Sequence, residues 1–159
     1  VDPGELHRQL VRMVDGVARR LREAGLAGRT VTIKVRAPDF TTLVRSTTLP
    51  DAVDLPLEIL REAENLLSAV DTTSGIRLLG VTMGGLRDAS VRQLRLDEVR
   101  TSLSSDLGDT SLVGRAAAEE AVDQIRDRFG SRAIAPATTV GEDGLRIKER
   151  GDSQWGPDV

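Results

Sequence analysis

Apolar residues recur at helical spacing from the first turns of the chain. Leu6, Leu10, Met13, Val14, Val17, Leu21 and Ala24 share one face of a helix over roughly 4–24. Asp2-Pro3 supplies its start and Gly25 its stop. The period then falls to two. Val31, Ile33 and Val35 alternate with Thr30, Thr32, Lys34 and Arg36, which predicts a strand with one wet, basic face. Ala37-Pro38-Asp39 reads as a turn, and Phe40 to Leu49, rich in Thr and β-branched residues, as the returning strand closed by Pro50. Asp54 and Pro56 open a second helix with Leu57, Leu60, Ala63, Leu66, Leu67 and Val70 on its apolar face. The glycine-bounded run from Ile76 to Met83 reads as a third strand, whose weak alternation leaves its faces unassigned.

The pattern changes after Leu86. Residues 87–111 are polar and read as a linker. A third helix is expected over 112–129, with Ala117, Ala118, Ala121, Val122, Ile125 and Phe129 as its stripe and Gly130 as its stop. So small a stripe predicts loose docking, and 131–159 reads as mostly irregular. The expected core module is therefore α-β-β-α-β, an α+β fold. It has an antiparallel sheet of strands near 29–37, 40–49 and 75–84 with both helices on one face, followed by a C-terminal helical extension. The expected organisation is a domain over 1–86, a linker over 87–111 and an extension over 112–159.

Composition narrows the chemistry. The 159 residues contain no cysteine, which removes disulfides and thiolate chemistry and fits a reducing cytoplasm. One histidine, His7, leaves no His pair for zinc and argues against a Ser-His triad; its place beside Arg8 in the first helical turn suggests exposure. No apolar run reaches the ~18 residues of a membrane span. No leader-like segment opens the chain, and its entry at Val1 without an initiator Met suggests a fragment.

The formal net charge is -3, from 22 Lys and Arg against 25 Asp and Glu. That charge is uneven: residues 1–50 carry nine cations and five acids, residues 101–159 seven cations and eleven acids. An anion-facing surface therefore belongs in the first half. Lys34 and Arg36 leave the first strand on one side, and Arg45 on the partner strand is expected beside them, opposite the helices. Arg29 and the hydroxyls of Thr30, Thr32, Ser46, Thr47 and Thr48 complete a face suited to phosphate oxygens. The same residues also fit an ordinary solvated sheet face.

Three stretches, in order and spacing, resemble the little-finger domain of Y-family translesion DNA polymerases of the bacterial DNA polymerase IV type. They are Gly28 to Arg36 followed by Asp39-Phe40, then Val44 to Leu49, then Ile76 to Val81. Asp123 to Gly130 looks like an actinobacterial-type version. The resemblance covers roughly residues 5–86. It implies a βαββαβ domain, here without its first strand, that lays its sheet on primer-template DNA and contacts backbone phosphates. It implies DNA-binding roles for Arg29, Lys34, Arg36, Arg45, Ser46, Thr47, Thr48 and Arg77.

The resemblance also implies work in DNA repair and replication, in the cytoplasm at the nucleoid. The magnesium and the metal-binding carboxylates of such polymerases belong to a palm that matches nothing in this sequence, so the chain is expected to be inactive alone and to hold no cofactor. Gln93-Leu94-Arg95-Leu96 resembles the motif that grips the bacterial sliding clamp, although Asp97 stands where an apolar anchor belongs. Two other classes fit the pattern less well. A ferredoxin-like RNA- or ligand-binding module would use aromatic platforms for RNA, and only Phe40 lies on an expected strand. A hydrolase would have to work with carboxylates alone.

Overall fold

A computed structural model of the chain describes residues 2–89, 112–131, 133–141 and 144–145. Helix α1 spans Pro3–Glu23. Asp2 caps it by accepting from the Gly4 N–H at 3.0 Å, with proline at the first helical position where no N–H is needed. Strands β1 (Leu26–Arg36) and β2 (Thr42–Val53) form an antiparallel hairpin. Helix α2 (Pro56–Ser68) and strand β3 (Leu78–Gly84) follow. A two-residue strand β4 (Arg87–Asp88) continues the β3 ladder against β1 in unchanged register, so the sheet runs past Gly85, whose φ is +60°. The strand order is β2-β1-β3. No strand among the described residues pairs with the outer side of β3.

Both helices cover one face of the sheet, as the periodicity predicts. Leu10, Val14, Val17, Ala18 and Leu21 of α1 and Ile59 and Ala63 of α2 pack on Val31, Ile33, Val35 and Met83. Leu10, Val14, Val31, Ile33 and Ile59 are essentially sealed from solvent. Burying each such side chain is worth roughly 1.5–3 kcal/mol, which makes this contact the main stabiliser of the module. His7 Nδ1 lies 2.7 Å from Glu64 Oε1 and ties the two helices at the surface.

Phe40, expected to open the second strand, lies in the turn before β2, and three further expectations change. Leu57, expected on the apolar face of α2, is 44% exposed. Pro50 does not end β2, which continues to Val53. It sits where the β1–β2 register shifts: Arg29 alone lies opposite Leu49, Pro50, Asp51 and Ala52. A bulge on an edge strand tolerates a proline because no ladder donor is lost there. The third difference concerns the C-terminal helix, α3, at Leu112–Phe129. Its bounds match the sequence pattern, but it docks by its charged side. Arg22 on α1 binds Asp123 at 2.6 and 3.1 Å, Arg126 holds both oxygens of Asp15 at 3.2 and 2.9 Å, and Arg19 reaches Asp127 at 3.2 Å. Ala117, Ala118, Ala121, Ile125 and Phe129 of the expected stripe are instead exposed.

After α3 the chain returns along α1. Arg12 donates to the Thr139 carbonyl at 3.1 Å, within a short 3-10 turn at Ala137–Thr139. A small hairpin of β5 (Val140–Gly141) and β6 (Gly144–Leu145) follows. No helix among the described residues is long and apolar enough to cross a membrane.

Candidate nucleic-acid interface

The helices leave the other face of the sheet bare. Its residues follow from the ladder, because directly opposed residues of an antiparallel pair point to the same side. On β1 the buried set is Val31, Ile33 and Val35, so Thr30, Thr32, Lys34 and Arg36 point away from the helices. Their β2 partners are Thr48, Ser46, Val44 and Thr42, and their β3 partners are Gly84, Thr82, Gly80 and Leu78. None of these twelve residues is acidic, and two are cations. Thr30 and Thr48 hydroxyls meet at 3.2 Å, and Arg36 Nε donates to Thr42 Oγ1 at 2.9 Å. Gly80 opposite Lys34 and Gly84 opposite Thr30 put no side chain on the β3 side of those two rows.

Four arginines of the helical layer are held in ion pairs. Arg8 pairs with Glu5 at 2.9 Å, Arg19 with Glu23 at 2.7 Å, Arg22 with Asp123 and Glu119, and Arg126 with Asp15. Burial opposes the charge on Arg22, but Asp123, helped by Glu119 and Asp54, outweighs it and raises the guanidinium pKa. Lys34, Arg36 and Arg45 take part in no ion pair described among these residues. Although the whole chain is acidic, the open sheet face presents uncompensated positive charge. Screening limits the influence of distant acids to about 8 Å at physiological salt.

Sequence reasoning placed this face on β1 and missed the register of β2. Arg45 lies opposite Ile33 and Thr47 opposite Val31, so both leave on the helix side, not beside Lys34 and Arg36. Arg45 is exposed there, beyond the helices' cover. Ser46 and Thr48 do lie on the open face. Arg29 shares the side of Val31, and its Nε donates to the Leu49 carbonyl at 3.1 Å, satisfying an acceptor that the bulge frees from the ladder. Arg77 precedes β3, and its backbone N–H donates to the Arg36 carbonyl at 2.7 Å. Its guanidinium lies over the Phe40 ring, 4.6 Å from the centroid. Thr42, Val44 and Thr82 belong to the open face and were not anticipated; only the ladder register identifies them.

One end of this face carries the β1–β2 turn. Ala37 N–H donates to Thr41 O at 2.9 Å and Phe40 N–H to Ala37 O at 3.0 Å. Asp39 accepts from the Thr41 N–H and hydroxyl, both at 2.9 Å, and these bonds, the backbone one foremost, lower its pKa. Gln93, Leu94 and Leu96 lie outside the described residues. Among the described residues no three His, Cys, Asp or Glu side chains gather as a metal-holding cluster.

Residues 1–96 match the impB/mucB/samB family C-terminal domain. DNA polymerase IV of Streptomyces coelicolor is 49% identical over 83 residues, covering 52% of this chain and 17% of that protein. DNA polymerase IV of Moorella thermoacetica is 34% identical over 141 residues, covering 86% of this chain and 31% of the relative. That of Desulfatibacillum aliphaticivorans is 35% identical over 137 residues, with 86% and 33% covered. The chain thus spans a third or less of the length of these relatives.

Proposed function

The chain belongs to the impB/mucB/samB family of C-terminal domains, and from that footing we propose that its open sheet face holds double-stranded DNA by the phosphates, as the DNA-gripping part of a Y-family translesion polymerase of the polymerase IV type. The observation that carries this reading is the acid-free face of β1, β2 and β3. Lys34 and Arg36 stand in its central strand among threonine and serine hydroxyls, while Arg8, Arg19, Arg22 and Arg126 of the helices are held in ion pairs. Ammonium, guanidinium and hydroxyl donors position a phosphate backbone without reading its bases. The chain then contributes grip, and the polymerisation chemistry, with its magnesium, belongs to other parts of such an enzyme. The same reading assigns Gln93, Leu94 and Leu96 to a sliding-clamp contact on the motif alone, and work in DNA repair at the nucleoid follows from the whole polymerase.

Fluorescence anisotropy with blunt duplex DNA tests the grip. Affinity near the non-specific range, about 10⁻⁴–10⁻⁶ M, is expected. Lys34→Glu/Arg36→Glu should abolish binding with the far-UV spectrum unchanged, whereas Arg45→Glu, on the other side of the sheet, should retain most of it. Equal loss from both variants would remove the face assignment, and undiminished binding by the double variant would remove the reading.

A further inference from the structure

Phe40 is the most unusual residue at the edge of this face. It is the one non-glycine among the described residues with positive φ, at 68°, and its side chain is 62% exposed. Left-handed backbone is unfavourable for an L-residue with a bulky side chain, by about 1–2 kcal/mol. Glycine or asparagine would suit the position better. The Asp39–Thr41 bonds fix the turn that holds the ring outward. Exposure of the ring adds nothing to the core. One side of the ring is covered by the Arg77 guanidinium, and Arg77 is joined through its backbone to Arg36, the last open-face residue of β1. Val44 at 57% and Leu78 at 36% exposure flank the same end of the open face, one row and no rows from Arg36. Two arginines, a lysine, an aromatic ring and two exposed aliphatic side chains thus converge at the turn end of the sheet.

We propose that Phe40, backed by Arg77, is a stacking platform for an unpaired nucleobase at the end of a duplex held on the open face. Phosphates engage Lys34 and Arg36, and the first base beyond the paired region lies against the ring. Every base has a π-face, so the platform accepts a base without choosing its identity. A guanidinium beneath the ring adds a cation–π contact that favours the stacked geometry. The inference rests on the phosphate-binding reading of the open face and adds a second, non-ionic contact with a different chemistry.

The two are separated by DNA that keeps its phosphates and loses its bases. Anisotropy titrations of the full 159-residue chain would use a duplex with a short 5′ overhang, once with normal bases and once with abasic sites in the overhang. Base-bearing DNA should bind about tenfold tighter, the lower part of what one stacked base contributes, with the same salt slope for both. Phe40→Leu should erase that difference and leave the salt slope unchanged, and Phe40→Trp should restore it. Equal binding of both DNAs by the unaltered chain would overturn the platform while sparing the phosphate reading. A base preference that survives in Phe40→Leu would also overturn it, by placing the contact elsewhere. Absence of binding to either DNA would overturn both.

Discussion

Arg126 of α3 and Asp15 of α1 form a two-bond ion pair, 3.2 and 2.9 Å, with the guanidinium only 4% exposed. The same guanidinium donates to the Ile134 carbonyl at 3.1 Å, so it also anchors the segment after the helix. Removing one partner of a buried pair leaves the other charge without its counter-ion, which costs about 3–5 kcal/mol. Arg126→Ala should therefore release α3 and the following turn from α1, while the core of β1, α1 and α2 stays folded. Hydrogen exchange over 114–139 should rise by orders of magnitude, with little change in β1. Uniform exchange gain across both regions would instead make α3 part of one cooperative unit.

The docking of α3 also marks where sequence reading stops. Its length and ends were legible from the alanine-rich run and Gly130. Its docked side was not, because a hydrophobic stripe says which face ought to be buried and carries no information about ion pairs more than a hundred residues apart. Strand β1 shows the opposite case: alternation in a half-buried strand assigns both faces directly, and Lys34 and Arg36 lie where it puts them. On β2 the residue types were legible and the register was not. The turn from Ala37 to Thr41, with Phe40 at positive φ, sets that register. A one-residue shift of register exchanges every side chain between faces, so without the register Arg45, Ser46, Thr47 and Thr48 could not be divided between the two sides.

The corrected register changes the expected salt dependence. Four phosphate-binding cations, Arg29, Lys34, Arg36 and Arg45, would give a log–log slope of about -3 to -4. With Arg29 bound to the Leu49 carbonyl and Arg45 on the helix side, Lys34 and Arg36 remain, and the slope should be about -2. Titration between low and physiological salt distinguishes the two. A slope near -3 would mean that the DNA wraps over the edge of β2 to reach Arg45 as a third cation.

Two carboxylates should leave opposite signatures in the acid range. Asp39 has a lowered pKa because the Thr41 N–H and hydroxyl bond its charged form. Its contribution is present above the unfolded-state pKa, roughly 4, and is lost as pH falls through the lower folded value. Glu119 is shifted upward, first by burial, with Arg22 opposing. The folded state holds that proton more tightly than the unfolded chain, so ionising Glu119 costs stability as pH rises through the carboxylate range. Asp39→Asn should flatten the acid side of the stability curve. Glu119→Gln should raise stability at neutral pH relative to its effect at pH 3. Urea midpoints from pH 3 to 7 would test both, and a Glu119→Gln effect that is larger at pH 3 would reverse the sign argued for it.

Close backbone approach within the sheet makes Gly28 intolerant of a side chain. Gly28 is buried on β1 where the ladder to β2 shifts and β3 gives way to β4. A Cβ built there would meet Met83 Cε at 2.8 Å, Gly84 O at 3.2 Å and Leu86 Cδ2 at 3.3 Å. The methionine tip can swing aside, because a thioether chain has rotamers to spare. The Gly84 carbonyl belongs to the β3 backbone and cannot move without disturbing the Thr30–Gly84 pairing. Gly28→Ala should therefore cost about 1–3 kcal/mol, the range for forcing an extra carbon into a packed interior. Relieving the methionine contact alone should recover only part of it, so Gly28→Ala/Met83→Ala should remain less stable than Met83→Ala. Urea unfolding of the three variants gives the comparison. Equal stability of the double variant and Met83→Ala would place the whole cost on the side chain and none on the backbone approach of β1 to β3.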